Sequence, residues 1–260
     1  MILDRIVKST EIRVAQLKKN YPLNILKKLA KKSENPFSFE KALRVDDIAF
    51  ICEVKKASPS KGLIAKDFLY VQIAKDYEIA GANAISVLTE PEFFQGANAY
   101  LTEIKKNVSI PVLRKDFIIE ESQIYESRII GADAILLICS ILSEEQIRHY
   151  IKIADDLGMS SLVEAHDEAE VEKAINAGAR VIGVNNRNLK TFEVNIENSV
   201  RLRKLVPTEI VFVSESGIKT QKDIKILRNN GTDAVLIGET LMRSGDKSLE
   251  IKKLKGLLND

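Results

Sequence analysis

The chain has 260 residues, which suits one large α/β domain, and its 45% of apolar residues can build a sizeable core. Its 39 basic and 37 acidic residues nearly balance, which argues against nucleic acid as a partner, and its apolar runs are far shorter than a membrane span. Charged residues begin at Asp4 and Arg5, so no secretory signal is predicted and a soluble, cytoplasmic protein is expected.

The first segment of the chain, residues 1–47, shows apolar positions at helical spacing. The patterns around Ile6 and around Leu26 predict two amphipathic helices. We interpret this segment as an N-terminal helical extension that packs on the domain formed by residues 48–260. Periodicity does not tell which end of that domain it covers, so a lid on the bottom and a cover over the active-site rim both stay open.

One sequence pattern occurs four times in the rest of the chain: a helical segment, a glycine, and then a short apolar run. The glycines are Gly81, Gly131, Gly178 and Gly231. Glycine commonly ends a helix in the left-handed conformation, and a short apolar run is typical of a buried parallel strand. The spacing of about 50 residues is too long for one strand–helix unit and suits two.

Four further strands are therefore expected midway between the repeats. Apolar or β-branched runs stand there, at Ile48–Val54, Ile110–Arg114, Ser161–Glu164 and Ile210–Ser214. Eight strands alternating with amphipathic helices predict a parallel sheet with right-handed crossovers. We favour a closed (β/α)8 TIM barrel over a doubly wound sheet, because no Gly-x-Gly-x-x-Gly motif follows the first strand.

Charged residues stand where the apolar strands end. The two-residue period places Glu53 and Lys55 on one face of the first strand, opposite Cys52 and Val54. Because the C-terminal strand ends of such a barrel meet at one rim, several ionisable groups are expected in one pocket. They are Glu53, Lys55, Lys115, Glu164, Arg187 and Glu215. Such a set suits acid–base catalysis, and the alternative is a salt-bridge network that only closes the barrel.

The last two strand ends carry glycines that suit an anion. Ser216 and Gly217 follow the seventh strand, and Gly238 and Glu239 follow the eighth. Glycine lets backbone N–H groups approach an anion at a helix start, and these two loops are the recurrent phosphate site of the architecture. The alternative is that both glycines are ordinary turn residues.

Two further features have open interpretations. The loop of residues 56–62 is basic and rich in hydroxyl groups, so it either grips a second anionic group or is a mobile surface loop. Phe93, Phe94 and Phe117 follow the second and third strands. They can wall an aromatic substrate, or some of them can serve packing alone.

The cysteines and histidines do not form a metal-binding pattern. Cys52 and Cys139 lie in apolar runs and are expected to be buried thiols in a reducing compartment, rather than a disulfide or metal pair. His149 is expected to face solvent, and His166, which follows Glu164 at the rim, is left without a role. No metal ion or other cofactor is expected.

Four longer motifs then identify a family. They are residues 53–62 (EVKKASPSKG), 113–118 (LRKDFI), 183–189 (GVNNRNL) and 214–218 (SESGI). With them the chain resembles the indole-3-glycerol-phosphate synthase family over essentially its whole length, extension included. Small departures are Asn195, where an Asp is usual, and the pair Glu120 and Glu121; both lie away from the expected chemistry.

The resemblance implies an enzyme of tryptophan biosynthesis, a carboxy-lyase that needs no cofactor. The substrate would be 1-(2-carboxyphenylamino)-1-deoxyribulose 5-phosphate, and the products indole-3-glycerol phosphate, carbon dioxide and water. The chain is expected to work on this phosphorylated small molecule as a monomer or weak homodimer, with neither nucleic acid nor a membrane as partner.

The resemblance also implies roles for individual residues. Lys115 would be the general acid at the ribulose ketone, Glu164 would handle the proton in dehydration, and Glu53 would support one of these transfers. The remaining implied catalytic residues are Lys55, Asn185, Glu215 and Ser216. The implied substrate-binding residues are Ser58, Phe93, Phe117, Arg187 and Leu189. The implied phosphate-binding residues are Lys55, Gly217, Gly238 and Glu239.

Two rival functions remain. Another phosphate-binding barrel isomerase, phosphoribosylanthranilate isomerase above all, is expected to use a Cys and an Asp as its acid–base pair, whereas Glu53 and Lys55 end the first strand here. The second rival is a non-catalytic barrel that only binds a ligand.

Overall fold

The computed structural model describes residues 2–188 and 191–257, and these form a closed barrel of eight parallel strands. The strands are β1 (Ala49–Val54), β2 (Ala84–Leu88), β3 (Val112–Lys115), β4 (Ala134–Ile138), β5 (Ser160–Ala165), β6 (Val181–Asn185), β7 (Val211–Glu215) and β8 (Ala234–Ile237). Ile51 of β1 is in register with Ala84 of β2 on one side and with Leu236 of β8 on the other, which closes the ring. The predicted (β/α)8 barrel is confirmed.

The strand bounds differ from the predicted ones by one or two residues. The largest difference is in β3, which begins at Val112 and runs to Lys115 instead of spanning Ile110–Arg114. Pro111 explains the later start, because proline has no N–H to donate to a neighbouring strand. The later end places Lys115 inside the strand, where the sheet holds its backbone.

Twelve helices lie within the described residues. They are α1 (Ile2–Asn20), α2 (Leu23–Ala30), α3 (Phe39–Leu43), α4 (Tyr70–Ile79), α5 (Asn98–Lys105), α6 (Glu121–Ile129), α7 (Glu144–Asp156), α8 (Glu168–Asn176), α9 (Glu197–Arg203), α10 (Gln221–Asn229), α11 (Glu239–Arg243) and α12 (Lys247–Lys255). None of them is long and apolar enough to cross a membrane. The repeated glycines Gly81, Gly131, Gly178 and Gly231 all have φ between +76° and +97° and each follows a helix, as the repeat predicts.

The two faces of each strand pack into different apolar layers. On β1, Ala49 and Ile51 point into the barrel, whereas Phe50, Cys52 and Val54 pack outward against helices. The alternation leaves Glu53 on the inward face, above Ile51, as the two-residue period predicts. Cys52 and Cys139 are both buried, free thiols.

The N-terminal extension reaches both ends of the barrel. Phe39 and Leu43 of α3 are fully buried against the start of the strands, at Ala49 and Ala84, and so close the bottom. Helix α2 packs on the outer helix α6. Helix α1 rises to the opposite rim, where Ile6 lines the central cavity. The two positions that the sequence left open are thus both occupied, by different helices.

Candidate active site

A cavity of about 680 Å³ opens at the C-terminal ends of the strands. It collects residues that are far apart in the chain, because all eight parallel strands end at this rim. Of the residues that the sequence predicts for the site, these line the cavity: Glu53, Lys55, Ser58, Lys115, Phe117, Glu164, Asn185, Arg187, Glu215, Ser216, Gly217, Gly238 and Glu239. Leu189 lies outside the described residues.

Phe93 is predicted as a substrate contact, but it is not among the residues that line the cavity. Phe94 lines the cavity instead, with its ring centroid 6.1 Å from that of Phe117. Phe93 lies under the guanidinium of Arg5, whose Cζ is 5.4 Å from the ring centroid. Two adjacent aromatic residues in a loop point to different sides, and the sequence carries no periodicity there to tell which side faces the cavity.

The centre of the cavity holds a lysine between two carboxyl groups. The Nζ of Lys115 lies 3.0 Å from Oε2 of Glu164 and 3.6 Å from Oε2 of Glu215. The amide of Asn185 donates to Oε1 of Glu164 at 3.3 Å. Both glutamates are buried, with 3% and 2% of their surface exposed. Three strands, β3, β5 and β7, thus bring one cation and two acids within contact of one another.

Burial and charge divide the two carboxyl groups into different protonation states. Burial would raise the pKa of Glu164, but the charges of Lys115 and His166 outweigh it and lower this pKa to about 2. Burial raises the pKa of Glu215 to about 8, with the charge of Glu164 adding to the effect and Lys115 opposing it. At neutral pH the site therefore holds an ionised Glu164 and a protonated Glu215.

Lys115 stays charged in this setting. Burial would lower the pKa of Lys115, but the carboxylates of Glu164, Glu215 and Glu53 outweigh it and raise this pKa above its ordinary value. The lysine therefore carries a proton at neutral pH that it can donate to a basic oxygen in the cavity.

The first strand adds an ion pair beside this centre. The ammonium of Lys55 donates to Oε1 of Glu53, and both side chains are mostly buried. Gly238 at the end of β8 lies against this pair: a Cβ there would overlap with the Glu53 carboxylate and stand 3.1 Å from Nζ of Lys55. A side chain at this position would push the ends of Glu53 and Lys55 aside, so glycine allows this close approach.

The turn after β7 is tightly held. Ser216 and Gly217 both have positive φ, at +68° and +84°. The buried amide of Asn186 donates to the Ser216 carbonyl and to the Ser214 hydroxyl, each at 3.0 Å. Sequence reasoning missed this role of Asn186, and its only signal is the polar side chain on the outward face of the segment that follows β6.

The loop of residues 56–62 lies on the rim of the cavity. Ala57–Ser58 and Gly62–Leu63 form a short antiparallel ladder, and Ser58 and Lys61 line the cavity. Lys61 reaches across to Glu239, at 3.4 Å. Of the two interpretations that the sequence allowed, this placement favours contact with a ligand.

Helix α1 and the last loops complete the wall. Ile2, Leu3 and Ile6 contribute an apolar side, and Arg243 adds a cation near the Gly238 loop. The amphipathic pattern of α1 marks these residues as buried but does not say against what. Among the described residues no group of three or more His, Cys, Asp or Glu side chains has the arrangement of a metal site.

The fold and this site together define a (β/α)8-barrel enzyme with one lysine and two glutamates at the centre of its cavity. Among solved structures, 3-hexulose-6-phosphate synthase from Salmonella typhimurium has the same fold, with a TM-score of 0.66 at 17% identity over 81% of this chain and 98% of that one. A family model described as indole-3-glycerol phosphate synthase matches residues 3–254. The chain belongs to this family.

Relatives of known name agree with this assignment. The chain is similar to the indole-3-glycerol phosphate synthase of Ruminiclostridium cellulolyticum, with 63% identity over 98% of this chain and 99% of the relative. It is also similar to the protein of that name from Endomicrobium trichonymphae, with 59% identity over 98% of this chain and 100% of the relative.

Proposed function

We propose that the chain closes the indole ring of 1-(2-carboxyphenylamino)-1-deoxyribulose 5-phosphate, releasing indole-3-glycerol phosphate, carbon dioxide and water, with Lys115 as the general acid. The observation that carries the proposal is the contact of Lys115 with Glu164 and Glu215 inside a 680 Å³ cavity. The family membership of the chain supports the same reaction.

The two ends of the proposed substrate have matching partners in the cavity wall. Backbone N–H groups at Gly217, Gly238 and Glu239 suit the phosphate, with Lys55 adding positive charge. Arg187, with Ser58, suits the carboxylate of the anthranilate part. Holding both ends folds the flexible chain, so that the aromatic carbon and the ketone meet without a large entropic cost at the moment of reaction.

The aromatic ring lies best between the apolar side chains. Phe117, together with Phe94 and the residues of α1, offers a surface for it. Apolar side chains around the substrate carboxylate also favour its loss as carbon dioxide, because the charged carboxylate is less well solvated there than in water.

The first chemical step needs a proton at the ketone. The ring carbon that carries the carboxylate attacks the ketone carbon, Lys115 gives its proton to the ketone oxygen, and a hydroxyl forms. The bond to the carboxylate then breaks, carbon dioxide leaves, and its bonding electrons restore the aromatic ring. The amine nitrogen of the substrate supplies the electron density for the attack, so this chemistry needs no cofactor.

The second step removes water. The new hydroxyl leaves with a proton, and the neighbouring methylene carbon loses one to Glu164, which is ionised and ready to accept it. Glu215 holds a proton at neutral pH and suits donation to the leaving hydroxyl, with Glu53 in support and Ser216 contacting the ribulose hydroxyls. One full turnover consumes a single proton, because the substrate carboxylate leaves as a neutral molecule.

The setting we propose is a soluble enzyme of the cytoplasm, acting as a monomer or weak homodimer on a phosphorylated small molecule. The near balance of basic and acidic residues supports the absence of a nucleic-acid partner. Light scattering on the purified chain across a concentration range measures the oligomeric state directly.

The test is to add the carboxyphenylamino-deoxyribulose phosphate to the purified chain and follow indole fluorescence and carbon dioxide release. We expect both products in equal amounts. In a second assay phosphoribosylanthranilate is the substrate, and its conversion without release of carbon dioxide would instead indicate the isomerase. Tight binding of the substrate with no product would indicate a non-catalytic barrel.

A further inference from the structure

His166 stands directly behind the active-site glutamate and is fixed from two sides. It follows β5, whose end carries Glu164. Its Nδ1 lies 3.0 Å from Oε2 of Glu170 on α8, and its backbone N–H donates to the same oxygen at 2.8 Å. Its carbonyl accepts from the amide of Asn198 at 3.0 Å. The ring therefore has one orientation, and it lies outside the cavity lining formed by the described residues.

The other ring nitrogen faces Glu164. His166 Nε2 lies 3.6 Å from Oε1 of Glu164, is buried, and has no hydrogen-bond partner within residues 2–188 and 191–257. The opposite oxygen of Glu164 contacts Lys115. The carboxylate is thus placed between an ammonium group on the cavity side and an imidazole on the far side.

This geometry favours a positively charged ring. Next to the Glu170 carboxylate, Nδ1 carries a hydrogen and donates it. A neutral ring would then present the Nε2 lone pair to an oxygen of Glu164, so that two acceptors would face each other in a buried site. A second hydrogen on Nε2 removes this repulsion and creates an attraction.

The surrounding charges act in the same direction. Burial would lower the pKa of His166, but the hydrogen bond with Glu170 and the charges of Glu164, Glu170 and Glu215 outweigh it and raise this pKa above its ordinary value. Glu164 and Glu170 come from β5 and α8, so the ring meets negative charge from both of these elements, and Glu215 on β7 adds to it once this group ionises at higher pH.

We propose that His166, held as an imidazolium by Glu170, is a positioning residue that keeps Glu164 ionised after Lys115 has given up its proton. The inference rests on the proposed function of this site. Before the reaction Glu164 has two positive neighbours. Once the lysine has donated its proton, only the imidazolium remains to balance the buried carboxylate, which must stay free to accept a proton in the dehydration step.

The first experiment compares kcat and KM of His166→Asn with those of His149→Asn and the wild type. His149 is exposed on α7 and serves as the matched control. We expect kcat of His166→Asn to fall about tenfold at pH 7, the equivalent of one pKa unit, with KM within about twofold, because the ring lies outside the cavity lining. An unchanged kcat, or an equal fall in His149→Asn, would overturn the proposal.

Glu170→Gln provides a variant that keeps the ring and weakens its charge. We expect this variant to lose kcat at pH 7 and to regain the wild-type value toward pH 5.5, where the imidazole is protonated without the help of Glu170. His166→Asn has no group to protonate, so acid does not restore it. A purely structural role of Glu170 or His166 would leave the ratio of variant to wild-type kcat independent of pH, and that result contradicts the inference.

A measurement without turnover tests the charge itself. The chain has two histidines, so NMR of their Cε1–H groups, assigned with the two Asn variants, gives each midpoint in the folded protein. We expect the midpoint of His166 above about 6.5 in the wild type and about one unit lower in Glu170→Gln. A wild-type midpoint at or below 6.5 overturns the inference. Failure of the wild type to form indole product overturns the proposed function instead, and the NMR midpoint still decides whether the ring is charged.

Discussion

Arg13 forms a bidentate ion pair with Asp116, the residue that directly follows Lys115. Nη1 and Nη2 of Arg13 lie 3.1 and 2.9 Å from the two carboxylate oxygens. Asp116 is buried and also accepts from Thr89 at 2.8 Å and from the fully buried Arg114 at 3.3 Å. The N-terminal helix that walls the cavity is thereby tied to the backbone that carries the central lysine.

Arg13→Ala is expected to weaken both stability and substrate binding. Arg114 and Thr89 remain on Asp116, and Arg13 is one quarter exposed, so the expected loss is about 1 to 2 kcal/mol of unfolding free energy rather than the full cost of breaking a buried pair. KM is expected to rise several-fold because α1 loosens over the cavity. Denaturant unfolding and steady-state kinetics measure the two effects. Lys19→Ala, exposed on the same helix, is the control. Equal effects in both variants would contradict a special role of the Arg13–Asp116 ion pair.

Lys115→Ala is expected to abolish turnover while the substrate still binds. Loss of the proposed general acid should lower kcat by about 100- to 10,000-fold, whereas the proposed phosphate and carboxylate contacts lie elsewhere in the cavity. Single-turnover kinetics give the chemical rate, and a fluorescence titration gives Kd. Turnover near the wild-type rate would remove Lys115 from the mechanism.

Glu215→Gln is expected to become more stable relative to the wild type as the pH rises from 5 to 8. The pKa of Glu215 is raised from its ordinary 4.5 to about 8, so over this window the folded state holds a proton that the unfolded state has lost, and stability falls as pH rises. The variant lacks this cost, and its relative gain is on the order of 2 to 4 kcal/mol. Denaturant unfolding at both pH values measures it.

Glu164→Gln is expected to change the stability of the fold in the opposite direction. The pKa of Glu164 is lowered from 4.5 to about 2, so its ionised form stabilises the fold above pH 4.5, and this contribution is lost as pH falls toward 2. The variant is therefore expected to be less stable than the wild type at pH 7, and the difference should shrink in acid. If both variants were stabilised, or both destabilised, relative to the wild type at pH 7, then Glu164 would not be ionised while Glu215 is protonated.

Gly238→Ala is expected to reduce affinity for phosphate by about tenfold or more. The new methyl group would displace the Glu53–Lys55 pair and fill space at the proposed phosphate site. Inorganic phosphate, measured as a competitive inhibitor, reports the change. Gly245→Ala is the matched control, because a Cβ there meets no atom within 4 Å. Equal inhibition constants for both variants would remove Gly238 from the anion site.

Several parts of the site were predictable because they depend on local chemistry. Glu53 and Lys55 share a face through the two-residue period of a strand, and Cys52 faces the other way for the same reason. That Lys115 and Glu164 reach one cavity followed from one topological rule, that parallel strands of a closed barrel all end at the same rim.

Other parts depend on contacts that no local pattern encodes. Phe93 and Phe94 are adjacent and chemically identical, and only the packing of the loop against α1 decides which one lines the cavity. No sequence pattern indicates the role proposed for His166, because that proposal depends on the distances from its two ring nitrogens to Glu164 and Glu170.

By itself the sequence determined the alternation of strands and helices, the closed barrel and the charged strand ends, because periodicity and glycine stops act over a few residues at a time. The tertiary structure alone decided that α3 closes the bottom while α1 covers the cavity, and that Arg13 reaches Asp116 across about a hundred residues of chain. An apolar stripe along a helix indicates that one side of the helix is buried. Which surface it meets depends on the shape and charge of the whole folded barrel.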